Sequence, residues 1–425
     1  MKNHWLVLTF LSILSGVFLL GVFILGLWVT YGLWFGYLAL GFSLLLFALI
    51  VRWLWKKVSA SLRKFFIILP INICLLLIFW AMIPLPQYDF SWDRENTMYE
   101  FWEVSEGRQV TVGRLSPPKE INHRNLTIVF VHGGPGAYVR GIDIDFLANF
   151  AKDGFDVLFY DQVGAGRSSM VDMFEYSHQG NVEDLKHVLE KIEGPVILFG
   201  QSYGTGLITS FMADYGDLFD VRQLIFSEPS PLPGVDLDSE EHYFVTKTTK
   251  APSPEEPSLF EVIRSPRMIL AMLLPADNGF VPQVEIQRSI GPELQNKIMR
   301  TSYCSDQAEE VLPFEHLPVN MLAMMQIRES FSKANRPDLR ALEVPVLLLL
   351  GECSYIPRGF AMEYFEHFSI TRSHWIAGVG HVLWTSKKGS NLTHDAIISF
   401  LEEKESPFPN QPTYQTRMEF IEQGL

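Results

Sequence analysis

Apolar positions fall into three regimes along the chain. From Trp5 to Val51 there are 47 residues and not one charge. As one helix this run would extend for about 70 Å at ~1.5 Å per residue, more than twice the ~30 Å hydrocarbon core of a bilayer. It must therefore fold back, most simply near "VTYG" at 29–32, into spans of 5–29 and 31–51. A third apolar run, Phe65 to Pro84, follows the linker "RWLWKKVSASLRK". A cleavable signal peptide would have an apolar core of only about 7–15 residues. The spans carry no ionisable side chain to mark a transport path, so residues 1–84 read as a three-span anchor. Within it, "GLWFG" at 32–36 has the spacing of small residues that lets helices approach. Pro70 and Asn72 can kink the third span or bond a neighbour.

After a polar linker at 85–95 the pattern becomes one of short runs. "MYEFWEV" and "RQVTVGRL" alternate as antiparallel strands do. "LTIVFVHGG" (126–134), "GFDVLFYDQ" (154–162), "GPVILFGQS" (194–202), "VRQLIFSEP" (221–229) and "VPVLLLLGE" (344–352) are continuous β-branched and aliphatic runs. Such runs suit strands buried on both faces. Helical stretches such as "VEDLKHVLEKIE" and "YGTGLITSFMADYG" lie between them. The alternation predicts a mostly parallel sheet with helices on both faces, an α/β fold.

The third regime interrupts the second. From Pro229 to about Ala341 no comparable strand occurs, only helical patches such as "PRMILAMLL" and "PVNMLAMMQIRESF". A connection this long should be a subdomain, here a helical cap over the strand ends, where open α/β sheets bind ligands. The organisation expected is an anchor at 1–84, a linker at 85–95, core at 96–229, cap at 230–340, core again at 341–405 and a tail at 406–425.

Charge adds a direction. The six basic residues before Pro84 have no acidic counterpart, and five of them lie in the linker at 52–64. That linker should stay cytoplasmic, which puts the N-terminus inside and everything after Pro84 outside the cytoplasm. Removing those six from the 34 basic residues of the chain leaves 28 against 48 acidic, a balance of −20. So acidic a face does not suit nucleic acid. Of the three cysteines, Cys74 lies in an apolar run and only Cys304 and Cys353 could pair; two buried thiols are the expected state. Neither a Cys-x-x-Cys nor a His-Glu-x-x-His pattern occurs, so no metal or other cofactor is expected. "NLT" at 125–127 and 391–393 matches a glycosylation acceptor, which matters only in a eukaryotic secretory compartment.

Candidate chemistry sits at the strand ends. Ser202, in "GQSYG", lies between a predicted strand and a predicted helix, in the Gly-x-Ser-x-Gly pattern of a nucleophile elbow. A serine attacks only if a base takes its proton and the oxyanion is stabilised. His381, at the end of the strand-like "WIAGVGHVLW" (375–384), is the best placed base. His178, His187 and His394 fall in polar helical or loop contexts, and His374 falls within a strand. The amide of Tyr203 and one from the loop "HGGPG" (132–136) are the candidate oxyanion donors.

Together "HGGPG" at 132–136, "DQVGAGRS" at 161–168, "GQSYG" at 200–204 and "GVGH" at 378–381 resemble the α/β-hydrolase superfamily, and within it the proline iminopeptidases and related serine aminopeptidases. The resemblance covers about residues 96–405 and excludes the anchor. It implies Ser202 as nucleophile, His381 as base, and Gly134 and Tyr203 as oxyanion donors. It also implies a short peptide with a free N-terminal residue as substrate. Two departures stand out. Ser354 occupies the place of the family's usual aspartate, in "LLLLGECSYIP", and Val163 stands where the "DQ-x-G" motif often has Arg. Glu228, after the preceding strand, or Glu352 could supply the missing carboxylate. Glu228 could instead hold the substrate's amino group, as glutamates near the cap do in such aminopeptidases. An esterase or amidase acting on lipid or small-ester substrates, and a degenerate hydrolase serving as a binding module, are the alternative readings. Epoxide hydrolase and dehalogenase chemistry would need a carboxylate where Ser202 stands.

The orientation is open to test. An exposed site introduced within 85–425 should react with an impermeant thiol reagent in intact cells; reaction only after permeabilisation would refute this topology.

Overall fold

The computed structural model describes residues 98–235, 283–287, 304, 319–339, 341–368 and 370–408. The three-span anchor at 1–84, the linker at 85–95, most of the cap and most of the tail lie outside these residues. Among the described residues no helix is long and apolar enough to cross a membrane. Residues 283–287 form a short helical segment of a separate unit.

Eight strands form one sheet: β1 (Tyr99–Ser105), β2 (Arg108–Leu115), β3 (Thr127–Val131), β4 (Asp156–Asp161), β5 (Val196–Gln201), β6 (Val221–Ser227), β7 (Val346–Gly351) and β8 (Ile370–Ile376). Their order is β1-β2-β4-β3-β5-β6-β7-β8. The β1–β2 and β2–β4 pairs are antiparallel and every other pair is parallel. The helices are α1 (Gly141–Lys152), α2 (His178–Leu189), α3 (Tyr203–Tyr215), α4 (Met321–Ser332), α5 (Arg358–His367) and α6 (Lys387–Leu401). Of the expected cap patches, "PVNMLAMMQIRESF" covers all of α4 but its last residue, and "PRMILAMLL" lies outside the described residues.

Alternation along the strands sorts side chains between two layers. Ile128, Phe130, Ile197, Phe199, Ile225, Leu347 and Leu349 share one core with α1 and α6. On that face Trp384 stacks on Phe146, ring centroids 4.6 Å apart, and meets Phe130 and Phe199 edge-on. Its indole N–H donates to Asp143 Oδ1 at 2.7 Å, so a fully buried indole keeps its hydrogen bond. On the other face α3 and α5 meet through Thr205 and Tyr364, while Tyr364 and Phe368 pack on Phe226.

Three sequence expectations are corrected. The helix read as "VEDLKHVLEKIE" begins four residues earlier, at His178. Ser177 caps it, its hydroxyl accepting from Gly180 N at 3.0 Å, and such a cap sets a helix start independently of apolar periodicity. His178, the first residue of this helix, is consequently buried. The last strand is not the segment that His381 ends: β8 stops at Ile376, and a turn carries His381. Its polar residues Thr371, Arg372, Ser373 and His374 hide it from an apolar-run criterion, yet the backbone of Arg372, Ser373 and His374 pairs with β7 at the sheet edge.

The third correction concerns the thiols. Cys304 and Cys353 form a disulfide, their Cα atoms 5.2 Å apart across 49 positions of sequence. Folding brings together positions whose separation in sequence carries no sign of contact. The bond ties a residue between β6 and α4 to the segment just after β7. Closing a loop of that length restricts the unfolded chain by about 4 kcal/mol in the chain-entropy model, with ~2–4 typical. Cys353→Ser in the full chain should therefore lower the unfolding free energy by about 2–4 kcal/mol, and neither thiol should alkylate before reduction. Alkylation of both in the unreduced native protein would refute the bond.

Candidate active site

The C-terminal ends of β3, β5, β6, β7 and β8 lie at one edge of the sheet, and the loops that leave them carry every candidate side chain. Ser202 sits between β5 and α3 with φ 53° and ψ −122°, a conformation that L-residues avoid at a cost of about 1–3 kcal/mol. Neighbours hold it there. Its N–H donates to Ser227 O at 3.0 Å. Its carbonyl accepts from Thr205 N at 2.9 Å, Thr205 Oγ1 at 2.7 Å and Ser230 N at 3.3 Å. Thr205 is itself fixed by the Tyr364 hydroxyl at 3.0 Å, which donates because the threonine proton goes to Ser202. The flanking glycines are steric necessities. A Cβ at Gly204 would lie 2.0 Å from Val131 O, and one at Gly200 would lie 2.9 Å from the Gly204 backbone.

The amide of Tyr203 opens α3, where the first N–H groups have no intrahelical acceptor. Opposite it runs the glycine loop after β3. A Cβ at Gly133 would lie 2.9 Å from the Ser202 Cβ, so backbone and nucleophile candidate are in direct apposition. Gly134 follows, joined to Pro135 by a cis peptide bond. His132 anchors this loop. Its Nε2 accepts from Gln162 N at 3.0 Å, so its Nδ1 carries the proton and donates to Gly133 O at 2.7 Å. Burial lowers the His132 pKa and keeps the ring neutral. It is a structural bracket.

His381 is buried in the turn after β8. Its Nδ1 lies 3.6 Å from Glu228 Oε2 and 3.4 Å from Ser354 Oγ. Glu228 follows β6 with φ 48°, its N–H donating to Leu349 O at 2.8 Å. The other carboxylate oxygen, Oε1, accepts from Gly351 N. Glu352 does not face the ring; its Oε2 accepts from Gly378 N at 2.9 Å and shapes the turn that presents His381. Ser354 Oγ also accepts from Ile356 N at 3.2 Å. The structure thus brings Glu228, Ser354 and His381 together, and gives Glu352 a structural place.

Two contributors carried no signal in the sequence. Tyr355 packs its ring on that of His381, centroids 4.5 Å apart and tilted by 51°. Desolvation, then the charge of Glu228, pushes its phenol up to about 12. Trp384, three residues beyond His381, fixes the same turn from below through Asp143. The second motif loop is organised by Asp161, which accepts from Val139 N at 2.7 Å and Arg167 N at 2.9 Å. Helix α4 is joined to both glycine loops: Asn320 N donates to Gly136 O at 2.9 Å, and Asn320 Nδ2 to Gly164 O at 2.8 Å. Among the described residues no group of three or more His, Cys, Asp or Glu could hold a metal ion.

A buried imidazole with a carboxylate 3.6 Å from its Nδ1, and a serine at a strained turn packed against a glycine loop, are the parts that acyl transfer uses. Comparison with known proteins agrees at the level of family. A family model described as "Alpha/beta hydrolase family" matches residues 128–388. A proline iminopeptidase of Lactobacillus delbrueckii subsp. lactis is 27% identical over 281 residues, covering 64% of this chain and 90% of that protein. One of Lactobacillus helveticus is 25% identical over 310 residues, covering 71% and 97%. The crystal structure of a Mycobacterium smegmatis proline iminopeptidase superposes with TM-score 0.45 at 19% identity, covering 72% of this chain and 98% of that one.

Proposed function

The chain belongs to the α/β-hydrolase family, and on that basis we propose that it is a membrane-anchored serine hydrolase that releases N-terminal residues from short peptides. The observation that carries this reading is the backbone of Ser202, a non-glycine residue held at positive φ between a buried strand and a helix. Such strain persists where the surroundings over-determine it, and it clusters at functional sites. In the proposed mechanism Ser202 Oγ attacks the acyl carbon while His381 Nε2 takes its proton. The amides of Tyr203 and Gly134 receive the oxyanion; one such donor is worth about 3–4 kcal/mol in the transition state. His381 then protonates the leaving amine, and water, activated by the same imidazole, hydrolyses the acyl-enzyme.

Glu228 is assigned the orienting role in place of the family's aspartate. Its Oε1 is occupied by Gly351 N and its Oε2 faces the Nδ1 of His381. That leaves it poorly disposed to hold a substrate amine. The 3.6 Å separation is longer than a hydrogen bond of ~2.7–3.2 Å, so in this geometry the carboxylate acts through charge, and a small closure would make the bond. The peptide substrate rests on the names of the relatives and on the resemblance. Placement of the catalytic domain outside the cytoplasm is supported by the basic linker at 52–64 and by the Cys304–Cys353 disulfide, a bond that persists in oxidising compartments.

The purified full chain should react with a fluorophosphonate probe and cleave prolyl p-nitroanilide, and Ser202→Ala should abolish both. Parental turnover in that variant would end the serine reading. Cleavage of p-nitrophenyl acetate but of no aminoacyl anilide would move the assignment to an esterase, and no labelling at all to a binding module. For the acid, Glu228→Gln should cut kcat by about 10²–10⁴-fold, as loss of an orienting carboxylate does, whereas Ser354→Asp should leave it within about threefold. A large gain from Ser354→Asp would show that the site lacks an acid as it stands.

A further inference from the structure

Beneath the two proposed oxyanion donors lies a buried polar chain that the mechanism above does not use. Gln162 holds the His132 end of the glycine loop twice, by its N–H to the ring and by Nε2 to His132 O at 2.9 Å. Gln162 Oε1 in turn accepts from Asn181 Nδ2 at 3.3 Å. The same nitrogen donates to the Tyr203 hydroxyl at 3.2 Å. Tyr203 must then give its own proton to His178 Nδ1 at 3.0 Å, which leaves the other His178 nitrogen to donate to Ser210 Oγ at 2.8 Å. The main-chain N–H of His178 donates to Ser330 Oγ at 2.7 Å, on helix α4. Gln162, Asn181, His178 and Tyr203 are all buried.

Asn181 is the junction. Its amide nitrogen has two hydrogens, and one goes to each half of the proposed oxyanion hole: to Gln162, which brackets the loop of Gly133 and Gly134, and to Tyr203. A fully buried asparagine in the first turns of α2 contributes no apolar packing, and its removal would leave two buried acceptors without a donor, at about 1–3 kcal/mol each. We propose that Asn181 is a positioning residue that sets the spacing of the two oxyanion donors, with His178 and Ser330 extending the link to the cap. The inference rests on the serine-hydrolase reading of the site.

The isosteric change Asn181→Asp tests it, because an ionised carboxylate cannot donate while a protonated one can. Burial raises a carboxyl pKa, so the variant should regain a donor as pH falls. The groups around the position are His132 after β3, Tyr160 on β4, Tyr203 and His178, with the Arg108–Asp184 pair beyond. Burial lowers both histidines, His178 to about 4, and raises both tyrosines. These shifts favour the neutral form of all four rings, and Asn181→Leu, which adds no carboxylate beside Asp184, is the control for that residue's part.

The experiment compares rates of fluorophosphonate labelling and p-nitrophenyl acetate hydrolysis for the full chain and for Asn181→Asp and Asn181→Leu at pH 6, 7 and 8. At pH 8 both variants should be slower by about 10–100-fold, the cost of a small misplacement of catalytic groups, in kcat rather than KM. The ratio for Asn181→Asp should climb part of the way to the parent by pH 6, because a protonated carboxyl restores one of the two donors, while that for Asn181→Leu stays low. Parental rates in Asn181→Asp at pH 8, or a deficit equal at all three pH values, would overturn the positioning role. A parent that does not label overturns the serine reading itself, which is a different result.

Discussion

Every part of the site depends on one tight passage, the reversal of chain direction at Ser202 between β5 and α3. The turn is possible only because Gly200 and Gly204 bring backbone against backbone, with Gly204 pressed onto the carbonyl of Val131 in the neighbouring strand. That closeness puts the end of β3 beside the start of α3, and hence the glycine loop beside the first amides of the helix. The unfavourable dihedral of Ser202 is offset by three hydrogen bonds to its carbonyl and one from its N–H to β6. The strain and the juxtaposition of amides have the same cause.

The carboxylate 3.6 Å from His381 comes from the end of β6, the strand beside β7. β6 and β7 are adjacent and parallel, so residues just past their ends stand side by side. A glutamate after β6, one methylene longer than an aspartate, reaches across to the end of β7. Gly351 N at the end of β7 pins one oxygen and leaves the other toward the ring. The turn bearing His381 is held from three sides: by Glu352 at Gly378, by Cys353 N to Val379 O, and by Trp384 at Asp143. Fixing the imidazole in this way limits the reorganisation left to the reaction itself.

The segment between β6 and β7 is joined to the rest of the fold at the places where the chemistry is proposed. Asn320 reaches both glycine loops, Ser330 reaches His178, and the disulfide anchors Cys304 next to Ser354.

The sequence by itself determined the α/β alternation, because continuous β-branched runs of strand length between amphipathic segments leave few other ways to bury apolar surface. It also marked Ser202, since a serine between two glycines at a strand–helix junction has a steric signature of its own, and His381, from its position late in the chain. Only tertiary structure decided among Glu228, Glu352 and Ser354 as neighbours of the imidazole. Strand adjacency brings β6 beside β7, and order along the chain does not encode which strand ends touch. The Cys304–Cys353 bond, the Tyr355 ring on His381 and the asparagine between Gln162 and Tyr203 were illegible for the same reason. Each joins segments distant in sequence through a direction in space that no local periodicity records.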